Sequence, residues 1–489
     1  MALHKTIRLA VWFAAVMLIT QPTEGREAKP MPDPPRIAAT GDAHPDLAPF
    51  DQLMISFMTE NRVPGAALAV TRNGRLVYAR GFGYADVERR EPVQPTSLFR
   101  IASLSKPLTA VAILQLVEQG RLHLDDKVFS LLRVHPHLAD GAKPDPALEM
   151  VTIRHLLHHT GGWDREKSFD PMFRSVEIAQ ALGVPPPARP EHIIRYMLGR
   201  PLDFTPGERY AYSNFGYSLL GRVIDALGPW PDPSDRSDRS DRSDRSYPSY
   251  VRAHVLAPLG ITDMRIGATL LSGRALGEAK YYHPEDRKAP AVVGPKIGEP
   301  VPWPYGAWYL EGFDSHGGWI ASAVDMVRFA AEFDDPSSLV PRSKYPRESS
   351  AISSDTLARP TVPASPRLGK PAVPLLSPES IRTMFARPEG LAGHNPDGSP
   401  RDFYYGCGWS VRPVGQKANH WHMGMVNGSA AILVRRHDGI NWCVLFNTHA
   451  DPKGEFLGKL MDPLVHRAAD AVKHWPDIDL FPRYGLTRP

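Results

Sequence analysis

The stretch RIASLSKPLTAV holds Ser103 and Lys106, the only S-x-x-K in the chain. On a helix, residues three apart share a face, so the lysine amine can reach the serine hydroxyl. An unactivated serine is a poor nucleophile, and a neighbouring amine of lowered pKa can take its proton. A serine at a helix N-terminus would also have backbone N–H groups beside any developing negative charge. Further on, GERYAYSNFGYSLLG contains the only Y-x-N, Tyr212 and Asn214. A tyrosine accepts a proton if cations depress its pKa, and an asparagine side chain can hold a substrate amide. A third stretch, HWHMGMVNG, sets His420 and His422 around a tryptophan and then enters a glycine-rich turn. Histidines so spaced could bind metal, pack in a core or line an active site.

Each piece has an ordinary reading as well: an N-cap serine with a surface lysine, or an aromatic loop with a turn-forming asparagine. The surroundings of Lys106 weigh against the first. SKPLTAVAILQLVEQG is apolar nearly all round, so it reads as a buried helix stopped by Gly120, with little solvated face for a lysine. The Y-x-N precedes a helical pattern, GYSLLGRVIDALG, which would project Tyr212 and Asn214 from a loop.

The flanking segments define a frame. PFDQLMISFMTENRVPG has a helical apolar period, and GAALAVTRNGRLVYARGFGYAD reads as a hairpin about Asn73-Gly74, a pair suited to a type I′ turn. Helical patterns dominate from Ser103 to about Gly260, HIIRYMLG among them. Strands return in GCGWSVRP and GSAAILVRRHDGINWCVLFNT, a second hairpin about Asp438-Gly439, and an amphipathic helix is expected from Glu455 to Trp475. Strands at both ends with helices between predict an α/β fold, an α+β sandwich in which an antiparallel sheet built from distant segments is flanked by helices, with a mostly helical subdomain inserted.

The 489 residues, 42% hydrophobic and 22% charged, are globular in composition. A net charge of +4 spread over scattered Lys and Arg gives no reason to expect nucleic acid. The first 25 residues have the layout of an export signal: Lys5 and Arg8, then an apolar run from Leu9 to Thr20, then Gly25 near a plausible cut. That run is short for a membrane span, so the expectation is an exported protein, periplasmic or secreted, with no stable span after signal cleavage. A proline-rich leader at 26–47 would precede one catalytic domain at 48–475, followed by a tail at 476–489. Within the domain the α/β part is expected at about 48–102 and 305–475, and the helical part at about 103–304. Loop insertions are expected at about 230–248, around the fourfold SDR repeat Ser234 to Arg245, and at about 335–374. Cys407 and Cys443 are expected as buried free thiols, a disulfide being the alternative.

Taken together, S-x-x-K and Y-x-N resemble the serine hydrolases of the class C β-lactamase and D-alanyl-D-alanine peptidase superfamily, which includes the family VIII esterases. VEQGRLHLDDKV with TIRHLLHHTGGW, then SHGGWIASAVDMVRFA, LLSPESIRTM and YGCGWSV, fit that family's later landmarks in order. The resemblance covers about Ala48 to Trp475 and implies a β-lactamase/transpeptidase-like fold. It also implies a third motif, Lys-Thr-Gly or His-Thr-Gly, on a strand beside the nucleophile. His159-Thr160-Gly161 is the better match in letters, but order and strand context favour His422-Met423-Gly424. By resemblance Ser103 forms an acyl-enzyme, Lys106 and Tyr212 shuttle its proton, and Asn214 and His422 meet the substrate. Gly424 would permit close backbone approach, and the N–H groups of Ser103 and Met425 would form the oxyanion hole. No metal or cofactor is implied; the partner is a small-molecule or peptide substrate, cell-wall peptides included.

The third motif departs from the family. His422 is largely neutral at pH 7 and Met423 offers no hydroxyl, so the carboxylate of a penicillin loses contacts worth about 1–3 kcal/mol each. Hydrolysis of an ester or amide with poor β-lactam turnover is therefore expected. Three rivals are weaker. A metal hydrolase would draw on His155, His158 and His159, or His420 and His422, but HLLHH lacks the Glu of H-E-x-x-H. An α/β-hydrolase lacks its G-x-S-x-G. A non-catalytic cell-wall-binding or sensor module on the same fold is the alternative from another class, and the presence of Ser103, Lys106 and Tyr212 together argues against it.

Overall fold

The computed structural model describes residues 37–229, 245–334 and 374–486. The export signal, the first part of the leader, the SDR repeat up to residue 244 and the segment 335–373 lie outside the described residues. Eight strands run in one antiparallel sheet: β1 Ala39–Thr40, β2 Gly65–Arg72, β3 Arg75–Asp86, β4 Tyr404–Tyr405, β5 Ser410–Val414, β6 Lys417–Val426, β7 Ser429–Arg435 and β8 Ile440–Phe446. Their spatial order is β1-β3-β2-β8-β7-β6-β5-β4, with Glu91–Pro92 also paired to β3. The junction of β2 with β8 joins the two ends of the chain, Ala66 opposite Phe446 and Arg72 opposite Ile440. This is the sheet from distant segments that the strand pattern predicts.

Local sequence explains the hairpins. Asn73 and Gly74 both take left-handed φ, +49° and +71°, as a type I′ turn requires. At the second hairpin Gly439 takes φ +79°. Arg436 N–H donates to Ile440 O at 2.8 Å and closes the loop.

Period-2 alternation then sorts the side chains onto two faces. Ala66, Leu68 and Val70 of β2, Ile432 and Val434 of β7 and Val444 of β8 point to one side. There they pack against Phe50, Met54 and Phe57 of helix α1 (Ala48–Glu60), and against a C-terminal helix, Leu457–Ala471, through Leu457, Met461 and Val465. Ala67, Ala69, Leu433, Cys443 and Leu445 point to the other side, into a larger core shared with the helical part. That core includes helix α2 (Ser105–Glu118), helix α3 (Asn214–Leu227) and helix α4 (Ala323–Ala331). The result is a helix–sheet–helix sandwich, as expected from the sequence.

Two boundaries differ from expectation. Part of the segment read as leader belongs to the sheet, because Ala39 and Thr40 pair with Phe82 and Gly81. The C-terminal segment is also packed: Phe481 is fully buried, and Leu480 N–H donates to Leu76 O at 2.8 Å. Both cysteines are buried free thiols. Among the described residues no helix is long and apolar enough to cross a membrane.

Candidate active site

The turn carrying Ser103 hangs from a short strand. Phe99–Arg100 pairs with Trp319–Ala321, and Ile101 N–H donates to Trp319 O at 3.0 Å. The chain then turns sharply: Ala102 adopts φ +46°, a left-handed conformation costly for a residue with a Cβ, and Ser103 follows in a 3₁₀ turn over Ala102–Leu104. Helix α2 begins two residues later, at Ser105, so Ser103 stands just before its first turn. Lys106 falls three residues on and is fully buried.

The lysine amine makes three contacts. Nζ lies 3.0 Å from Ser103 Oγ, 2.8 Å from Asn214 Oδ1 and 2.8 Å from the His316 carbonyl oxygen. The rings of Tyr212 and Tyr217 face it at 4.8 and 5.7 Å. None of the three contacts is a carboxylate. Desolvation therefore dominates and holds Lys106 well below the ordinary lysine range; the field of Asp170 partly offsets this and that of Arg165 adds to it. An amine so depressed and so placed can take a proton from a serine hydroxyl.

Tyr212 closes the other side, its hydroxyl 2.9 Å from Ser103 Oγ. Burial pushes its pKa up, outweighing the opposing hydrogen bond to Ser103 and the Arg165 charge. The expectation that cations would make it a proton acceptor is thus corrected: at rest Tyr212 is a phenol that donates to Oγ. Behind it stands His159, with ring centroids 4.3 Å from Tyr212, 5.0 Å from Tyr217 and 4.4 Å from Tyr405. His159 Nδ1 accepts the Ser213 N–H at 3.1 Å, so this histidine packs and aligns the loop carrying Tyr212.

Asn214 is the first residue of α3 rather than a loop residue, with Ser213 capping the helix by accepting from Gly216 N–H at 3.1 Å. Its amide bridges two groups: Oδ1 accepts from Lys106, and Nδ2 donates to Asp170 Oδ2 at 2.7 Å. Both ends are engaged inside the protein. These two bonds tie Asn214 to the lysine, whereas the resemblance implies that it orients the substrate.

Strand β6 lies along the turn that carries Ser103. A Cβ on Gly424 would sit 2.1 Å from Ile101 O, so the bare backbone at this position makes room for the Ser103 turn itself. His422, on the same face, is buried and turned inward. Its Nδ1 lies 2.8 Å from Met423 O and its Nε2 2.9 Å from Tyr405 OH. A carbonyl only accepts, so Nδ1 carries the hydrogen and Nε2 accepts from the tyrosine. Burial, with help from Lys106, pushes His422 down to about 3. Both nitrogens are satisfied within the protein, so the expectation of a substrate-facing His422 gives way to an uncharged wall behind Tyr212. Met423 points to the opposite sheet face, among the residues packed on the α1 side. Its missing hydroxyl is thus set aside as a specificity feature. Met425, next along, is 48% exposed.

The other histidines go separate ways. His155 Nδ1 accepts Thr152 N–H at 3.2 Å in a helix cap. His158 Nε2 lies 3.6 Å from Cys407 Sγ. His420 shares the face of His422 but stacks on Phe385, centroids 3.9 Å apart. Among the described residues no group of three His, Cys, Asp or Glu is arranged to hold a metal ion. Sequence reading missed Asp170, the His316 carbonyl and Tyr405. His316 and Tyr405 lie in stretches quoted above and Asp170 in none, and only the folded distance brings the three to the site.

The chain matches the family described as Beta-lactamase over residues 50–462. It is 35% identical over 188 residues to the esterase EstB of Burkholderia gladioli, covering 38% of this chain and 46% of EstB. The chain thus spans less than half the length of the curated relatives it matches. Among solved structures it resembles the octameric penicillin-binding protein homologue from Pyrococcus abyssi, with TM-score 0.56 and 24% identity over 86% of this chain and 78% of that one. It also resembles the D-amino acid amidase from Ochrobactrum anthropi SV3, with TM-score 0.56 and 20% identity over 88% and 99%. Those structural likenesses speak for the fold. With the matched model spanning most of the chain, the protein belongs to the beta-lactamase family.

Proposed function

We propose that this protein hydrolyses an ester or amide through an acyl-enzyme on Ser103. The observation that carries the reading is the burial of Lys106, with no carboxylate in direct contact, against Ser103 Oγ at 3.0 Å, and the Tyr212 hydroxyl at 2.9 Å on the same oxygen. Ser103 Oγ attacks the substrate carbonyl carbon as its proton passes to Lys106 Nζ. The N–H groups of Ser103 and Met425 receive the oxyanion. Collapse breaks the bond to the leaving group, which leaves as an alcohol or amine with a proton delivered from Lys106 through Tyr212. Lys106 then takes a proton from water as the water attacks the Ser103 ester carbonyl; the acyl–Oγ bond breaks, the acid leaves, and the proton passes from Lys106 to Ser103 Oγ.

The relatives support an esterase or an amidase as the activity, since EstB is an esterase and the Ochrobactrum protein a D-amino acid amidase. An uncharged, inward-turned His422 supplies no cation for a β-lactam carboxylate, so penicillin turnover is expected to be poor. The apolar N-terminal run supports export, to be checked by the N-terminal residue of the mature protein.

Short-chain nitrophenyl esters, D-amino-acid amides and a chromogenic cephalosporin, each against wild type and Ser103→Ala, test the proposal. Wild type is expected to turn over an ester or amide, and Ser103→Ala to lose that activity and its labelling by a serine-reactive phosphonate. Hydrolysis retained by Ser103→Ala would refute the mechanism. Absence of Ser103-dependent labelling would favour a non-catalytic binding module.

A further inference from the structure

The loop between His159 and Arg174 sends Asp170 toward the cluster at Lys106. Its carboxylate accepts two hydrogen bonds. Oδ1 takes Met172 N–H at 3.1 Å and so caps the short turn Pro171–Phe173, while Oδ2 takes Asn214 Nδ2 at 2.7 Å. The residue is partly exposed as a whole, but the carboxylate is enclosed, and burial pushes its pKa up against the pull of Arg165, Asn214 and Lys106.

A primary amide has two chemically opposite ends, and nothing in its own shape selects which one faces Lys106. With Oδ1 toward Nζ, the two N–H groups of the neutral lysine have acceptors in Asn214 Oδ1 and His316 O, and the lone pair is left for the Ser103 hydroxyl. Turned over, the amide would present N–H to Nζ, where it competes with Ser103 for the lone pair, and would set oxygen against oxygen at Asp170. An ionised carboxylate only accepts, so it penalises the turned form at its own end.

We propose that Asp170 is a positioning residue: by accepting the Asn214 amide N–H it fixes that amide with its oxygen on Lys106, and so holds the lysine on Ser103. This rests on the hydrolase reading above and deepens it. The same carboxylate lies one side chain away from the ammonium formed when Lys106 takes the serine proton, and favours that ion.

Other groups face the lysine from every side. Tyr212 and Tyr217 present their rings, and His159, His316 and His422 surround it, all three held neutral by burial. The charges that remain are Asp170, which favours the ammonium, and Arg165, which opposes it.

The test is the pH profile of kcat/KM for a nitrophenyl ester. Asp170→Asn keeps an acceptor for Met172 N–H but presents N–H to Asn214. The expected result is a kcat lower by about tenfold to a hundredfold with KM little changed. The acid limb should also move to lower pH, because Lys106 loses the charge that favours its protonated form. The double swap Asp170→Asn with Asn214→Asp restores a donor–acceptor pair and puts a carboxylate directly on Lys106, so its acid limb should move above that of wild type. A wild-type kcat with an unshifted limb in Asp170→Asn, or an unshifted limb in the swap, would overturn the proposal. Should Asp170→Asn not fold at the assay temperature, the swap alone decides. Phosphonate labelling of wild-type Ser103 is scored separately: its absence sinks the hydrolase reading, whereas labelled wild type with indifferent Asp170 variants sinks this one alone.

Discussion

Replacing Gly424 by alanine isolates the role of strand β6 without touching a polar group. The added Cβ would lie 2.1 Å from Ile101 O, 3.1 Å from Ile101 C and 3.2 Å from Leu104 Cδ1. Contacts of a real Cβ stay above about 3 Å, so strand and turn must part by about 1 Å. The obstructing atom is backbone and cannot rotate away. Ile101 lies two residues before Ser103, on a turn already committed to a left-handed Ala102, so the displacement reaches the nucleophile. Overpacking of this kind costs about 1–3 kcal/mol of stability. A misplacement of about 1 Å at a reacting group costs about a hundredfold in rate. The loss should fall on kcat, because the strand positions the reacting atoms and the pocket mouth is unchanged. The assay is steady-state hydrolysis of a nitrophenyl ester, with thermal unfolding and the rate of phosphonate labelling followed in parallel. A Gly424→Ala enzyme with kcat within twofold of wild type and unchanged unfolding would refute the argument that this glycine seats the nucleophile turn.

Two further predictions follow from the electrostatics. Tyr212→Phe removes the hydroxyl 2.9 Å from Ser103 Oγ, and kcat should fall by about a hundredfold or more while KM holds, as expected for a lost proton-transfer group; near-normal kcat would show that Lys106 works alone. Stability should fall on acidification. His158, His449 and His466 are pushed down to about 4 and His422 to about 3, so the folded state keeps them neutral while the unfolded chain binds protons from about pH 6.5. Their contribution is fully present above about pH 6.5 and is lost as pH falls toward 4. Asp225 and Asp325, raised to about 6, act in the opposite sense but are fewer and less shifted. Unfolding temperatures measured from pH 7 to pH 4.5 should decline steadily, and a flat or rising series would contradict the burial of these histidines.

The sequence by itself determined the frame and the centre of the site. The apolar runs of β2, β7 and β8, the Asn73-Gly74 and Gly439 turns, and the apolar surround of Lys106 are local patterns, and each survives in the fold because tertiary packing agrees with it. Ser103 and Lys106 were legible for the same reason: three residues along one turn cannot be far apart. What tertiary structure decided was everything that depends on which way a side chain points once distant segments meet. His422 turned inward because Tyr405, 17 residues away, supplied a donor for its second nitrogen. Met423 left the site because one step along a strand reverses the face. Asn214 became a strut for Lys106 because Asp170, 44 residues earlier in the chain, claims the other end of its amide. Periodicity carries the direction of a residue relative to its own element, but not the hydrogen-bond partner that another element brings to it.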